Sequence, residues 1–73
     1  MKLGPTMLVL LKAWVRDLSQ DPEHTTDDGI LQVASACHLA PDTISSALSG
    51  GDLPRWACEA IETRALAYDA GVL

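Results

Sequence analysis

Apolar positions along the chain recur at intervals of three and four, the period of helices packed on one face, and no stretch alternates in the two-residue rhythm of a strand. The first series, Met7, Leu11, Trp14, Val15 and Leu18, predicts a helix over about 6–19, after the breaker Gly4-Pro5 and with Thr6 as its cap. Leu8, Val9 and Leu10 fill much of the remaining circumference of that helix. They read either as the mark of a central helix covered by the others, or as a dimer seam or partner groove on Leu8, Val9 and Leu10. A polar run, Ser19 to Asp28, then forms a loop that contains Pro22 and His24. Asp27 or Asp28 is placed to cap a helix over about 29–37 and to complement its dipole.

Pro41 suits the first position of a third helix over about 41–49, because its φ is already helical and it has no amide to lose. Ser49-Gly50-Gly51-Asp52 ends that helix. The last series, Leu53, Trp56, Ala57, Ala60, Ile61, Ala65 and Tyr68, predicts a fourth helix over about 54–70, closed by Gly71 and supplying the second half of the core. The fold class that follows is all-α, a single small domain spanning 1–73 with four helices.

Between the second and third helices the spacing is specific. Ala34 is small enough to let two helices cross closely, and the bend falls at His38, where a residue must tolerate positive φ. Val33, Cys37, Leu39, Ile44, Ala47 and Leu48 supply the inward faces, leaving Asp42, Thr43, Ser45, Ser46 and Ser49 outside. This is helix-turn-helix spacing. From Val33 through Leu39 to Ile44, Ala47 and Leu48 the stretch resembles, without a gap, the helix-turn-helix of the phage Cro and repressor-like DNA-binding family. The resemblance covers about a quarter of the chain and departs from the family at His38, where glycine is usual. It implies a lambda-repressor-like fold, a recognition helix at 41–49, and binding to double-stranded operator DNA, often as a homodimer.

On that resemblance, base reading falls to Ala40, Pro41, Thr43 and Ser46, through methyl contacts to thymine and hydroxyls that can bond several base edges. Asp42 could accept from a cytosine amino group, although a role as the helix cap is the simpler one. Gln32 is a candidate donor near a phosphate. Arg55, the basic residue nearest the recognition helix, is a candidate phosphate clamp or else an ion-pair partner of Asp52 or Glu59.

Charge changes the picture. The formal net charge is −5, and residues 30–73 carry two arginines against five carboxylates. The recognition helix contains no Arg, Lys, Asn or Gln. Phosphate neutralisation dominates nucleic-acid affinity, so the expected footprint of a DNA binder is basic. Two functions from different classes are therefore carried forward. One is a phage- or bacterial-type transcription regulator reading an operator as a dimer. The alternative is an acidic helix-turn-helix scaffold that acts as an inhibitor or adaptor of a host regulator or polymerase.

The remaining chemistry is sparse. Cys37 and Cys58 form no CxxC pair, and with His24 and His38 they complete no zinc spacing, so core thiols and no metal are expected. Gly50-Gly51 lacks the following Lys and Ser or Thr of a phosphate loop, and no Ser, His and acid arrangement is suggested. Neither catalysis nor a cofactor is expected. The run Met7 to Leu11 is interrupted by Lys12 and Arg16 and is too short to span a bilayer, so the expectation is a cytoplasmic chain with no membrane partner.

Overall fold

The computed structural model describes residues 1–19 and 27–72. Four helices make up the fold, α1 (Pro5–Leu18), α2 (Asp27–Cys37), α3 (Pro41–Leu48) and α4 (Arg55–Asp69), with no strand among the described residues. The protein is a small all-α domain, as the periodicity predicts. The body of the expected polar loop, including Pro22 and His24, lies outside the described residues.

Helix starts differ from the sequence expectation in two places. Pro5 occupies the first turn of α1 and Gly4 is its cap, with no side-chain hydrogen bond, so Thr6 lies inside the helix and does not cap it. The fixed φ of proline suits the first helical position and pulls the start forward. α2 begins at Asp27, two residues before the expected Gly29, which puts both Asp27 and Asp28 in its first turn. Their carboxylates face the positive end of the helix dipole from within the helix.

The ends of α2, α3 and α4 follow one device. After α2, the amide of Leu39 donates to the Ala34 carbonyl at 2.9 Å and that of His38 to Ser35 at 3.2 Å. After α3, Gly51 donates to Ser46 at 2.8 Å and Gly50 to Ala47 at 3.1 Å; after α4, Val72 donates to Ala67 at 2.9 Å and Gly71 to Tyr68 at 3.0 Å. Each pair closes the last turn around one left-handed residue: His38 at φ 57°, Gly50 at 77° and Gly71 at 75°.

α1 is central and packs on all three other helices. Leu11, Trp14 and Val15 point inward and meet Val33, Ala34, Ile44, Ala57, Ile61 and Ala65 in one core. Trp14 stacks on Tyr68 of α4, with ring centroids 5.7 Å apart and planes at 17°. That core contains no buried polar or charged residue among those described. Leu8 and Leu10 are half-buried, and Leu10 packs against the core, while Val9 is 65% exposed. Of the three residues considered for a seam, Leu10 belongs to the core's edge.

One core expectation fails. Trp56 is 63% exposed. The inward stripe of α4 runs through Ala57, Cys58, Ile61 and Ala65, and a residue about 100° behind Ala57 falls on the outer side. Periodicity alone could not say which of two adjacent apolar residues centres the stripe. Cys58, expected as a core thiol, lies in that inward stripe.

Candidate nucleic-acid interface

The α2–α3 unit is set by its turn. A non-glycine residue in the left-handed region is uncommon, and His is among the side chains that tolerate it. At His38 it allows the two hydrogen bonds that reverse the chain, while Ala34, 1% exposed, keeps the crossing close. Ile44 and Ala47 then bury the inner side of α3.

The predicted reading residues stay outside. Ala40, Pro41 and Ser46 are exposed and Thr43 is half-buried, so the α3 surface presents hydroxyls and small apolar groups. Asp42 lies in the first turn, and Ala40 stands at the cap position without a side-chain hydrogen bond. Asp42 therefore acts on the helix dipole from within the turn and does not cap the helix.

The two polar candidates flanking α3 are engaged within the chain. The Gln32 Nε2 donates to the Leu18 carbonyl and to Asp28 Oδ2, each at 3.2 Å, tying α2 to the end of α1. Arg55 Nε donates to Glu59 Oε1 at 3.1 Å, one helical turn away, which settles its ion-pair alternative in favour of Glu59. Asp52 instead lies 3.5 Å from the amine of Met1, which also donates to the Leu53 carbonyl at 3.0 Å. Arg55 and Glu59 are both well exposed, and such a pair contributes at most about 1 kcal/mol, so a phosphate could displace Glu59 at little expense.

Sequence reasoning missed two features here. The first is Gly29, buried where α2 meets α1. A Cβ at this position would stand 2.5 Å from the Val15 carbonyl oxygen and would also collide with the Ser19 hydroxyl, which itself donates to Val15 at 2.6 Å. In the sequence Gly29 reads only as the start of a capped helix, and only the packing shows it as a backbone contact. The second is an open groove of about 360 Å³ between the starts of α2 and α3, lined by Asp27, Ile30, Leu31, Pro41, Asp42 and Ser45.

The thiols are core residues. Cys37 and Cys58 are both buried and free. Burial pushes the Cys37 thiol above its ordinary pKa, and the nearby positive charge of Arg64 offsets part of that effect. A protonated, enclosed thiol is a poor nucleophile and a poor metal ligand. Among the described residues no cluster of three His, Cys, Asp or Glu side chains is placed to hold a metal, and no helix is long and apolar enough to cross a membrane. Comparison with protein-family models, with curated proteins and with solved structures finds no match to this chain.

Proposed function

We propose that the chain is a small phage- or bacterial-type transcription regulator that binds operator DNA as a homodimer through the outer face of α3, and that it is a binding protein and not an enzyme. The observation that carries this reading is the α2–α3 turn, closed by the amides of His38 and Leu39 around the left-handed His38, which leaves Ala40, Pro41 and Ser46 exposed and Thr43 half-buried along α3 and its start. A short helix presented in this way fits the major groove. Its side chains offer methyl groups and hydroxyls, so discrimination per subunit is modest, and a dimer reading two half-sites about one helical turn apart multiplies it.

Selection from random duplex DNA, followed by fluorescence anisotropy at low and at physiological salt, tests the proposal. Enrichment of a palindromic site whose affinity falls as salt rises supports it. Absence of any binding at low salt ends it. Within a positive result, Thr43→Ala with Ser46→Ala relaxes sequence preference by about 1–3 kcal/mol over the contacted positions, whereas Arg55→Ala weakens all sequences alike and flattens the salt slope.

One observation favours a second reading. No Lys or Arg occurs between Arg16 and Arg55, so α2, α3 and both turns beside them are without a cation, while Asp27, Asp28 and Asp42 lie at the two helix starts. On this reading the helix-turn-helix is a scaffold whose acidic, partly apolar surface holds a host regulator or a polymerase subunit. It predicts no DNA affinity at low salt together with binding to purified host polymerase that is lost on neutralising Asp27 and Asp42.

A further inference from the structure

The groove between α2 and α3 is lined by the apolar Ile30, Leu31 and Pro41 together with Asp27, Asp42 and Ser45. Leu31 is 57% exposed within it, a large aliphatic side chain left to water. The helix starts on either side are supplied with carboxylates of their own, so the site does not suit an anion. Its occupant must bring an apolar surface together with positive charge.

The chain itself carries such a surface on α1. Val9, Lys12, Ala13 and Arg16 follow the spacing of one helical face. Val9 is 65% exposed, Ala13 and Arg16 are exposed, and Lys12 is half-buried. Among the described residues neither Lys12 nor Arg16 forms an ion pair, the pairs there being Met1 with Asp52 and Arg55 with Glu59. This face cannot reach the groove of its own molecule, because Leu11, Trp14 and Val15 fix the opposite side of α1 in the core. It is free to meet a second copy.

We propose that two copies of the chain associate by seating the Val9, Lys12, Ala13 and Arg16 face of each α1 on the α2–α3 groove of the other. Lys12 and Arg16 lie against Asp27 and Asp42, and Val9 covers Leu31. The exchange is reciprocal, so the assembly closes as a two-fold dimer. Docking uses the Pro41, Asp42 and Ser45 flank of α3, so that in the dimer Pro41 is covered and base reading falls to Ala40, Thr43 and Ser46 on the neighbouring flank. It also neutralises the two carboxylates nearest the surface assigned to DNA, and in this respect it rests on the dimeric DNA reading.

Sedimentation equilibrium of the full chain, without DNA, tests the interface by charge exchange. Lys12→Glu with Arg16→Glu makes both surfaces acidic, and Asp27→Lys with Asp42→Lys makes both basic. Each variant alone is expected to raise the dimer dissociation constant on the order of tenfold or more, and an equimolar mixture is expected to recover a heterodimer of near wild-type affinity. Circular dichroism verifies that each variant is folded. Should the basic variant fail to fold, the wild-type protein still gives an answer, because its dissociation constant must rise with added salt.

A wild-type chain that stays monomeric overturns the inference, as does a dimer that is insensitive to salt or to both pairs of substitutions, or a mixture that does not recover. The two ideas separate cleanly. A dimer that behaves as described but enriches no DNA site leaves the interface standing and removes the DNA reading, whereas DNA binding with an unaltered dimer in both variants removes the interface alone.

Discussion

The two ends of α2 are fixed to their neighbours by different means. At its C-terminal end a turn does the work: Ala34 sits at the crossing, and the amides of His38 and Leu39 close back onto Ser35 and Ala34. At its N-terminal end, among the described residues, Gly29 lets the helix lie directly on the backbone of α1 at Val15 and Ser19, and Gln32 adds a hydrogen bond to Leu18. The first end is secured by local geometry and the second by contact between segments distant in sequence. The difference decides both how each end can be broken and how far it could be read beforehand.

The largest expected effect is at the turn. Ala34→Leu inserts a branched side chain into a site that is 1% exposed, forcing α2 and α3 apart at the crossing. Overpacking of this kind costs about 3 kcal/mol, a large part of the stability of a small domain. Urea denaturation measures it, and an unshifted midpoint would mean that the crossing tolerates bulk and that the turn alone orients α3.

Gly29→Ala breaks the other end by less, about 1–2 kcal/mol. Overpacking opposes the substitution, because the new Cβ meets a backbone carbonyl that cannot rotate away, while the better helix propensity of alanine returns up to about 1 kcal/mol. A variant as stable as the wild type would show that α1 and α2 slide apart freely here, and that the close approach is incidental. Equal losses at Gly29 and Ala34 would erase the distinction drawn between the two ends.

Legibility in the sequence divides along the same line. The left-handed residue at 38, Pro41 at the start of α3, and the glycines that end α3 and α4 all announce themselves, because each is a rule about one residue and its own φ. Four helices follow from periodicity for the same reason. Gly29 reads as an ordinary first residue of a helix until α1 is laid against it. The exposure of Trp56 turns on which of two adjacent apolar residues centres the α4 stripe, and the neighbours decide that, not the spacing. In the candidate site, the exposed residues of α3 were readable from the helical face they share. The pairing of Arg55 with Glu59, four residues on in the same helix, was one of two partners its spacing offered; the engagement of Gln32 with Leu18 and the groove beside Leu31 were not readable, since each depends on how whole helices are placed.

Gln32→Ala sharpens the N-terminal end. The side chain is exposed and its amide bonds both the Leu18 carbonyl and the exposed Asp28 carboxylate, so its removal costs about 0.5–1.5 kcal/mol in the same denaturation experiment. The freed Leu18 carbonyl can turn to water, which keeps the loss small. If instead the loss matches that of Gly29→Ala, the hydrogen bond and not the backbone contact is what holds α2 to α1. DNA affinity gives a separate readout: a fall larger than the stability change explains would return Gln32 to the phosphate-contacting role considered from the sequence.

His38→Gly acts in the opposite direction at the other end. A side chain in the left-handed region is held against its own backbone preference, at an expense of about 1–2 kcal/mol for an L-residue, and glycine removes that strain. Part of the gain is lost because glycine also loosens the unfolded chain. A net stabilisation of about 0.5–1 kcal/mol is expected, raising Tm by roughly 2–8 °C in a domain of this size. Gly50, which closes the next turn by the same pair of hydrogen bonds, already has this advantage, so the substitution makes the two turns of α3 alike. Because the His38 side chain is exposed and stands outside the residues assigned to base reading, the DNA preference of the variant should be unchanged. A stabilised variant with altered preference would place the imidazole at the DNA surface, and an unstabilised one would mean that the imidazole makes a contact strong enough to offset the strain of its own backbone.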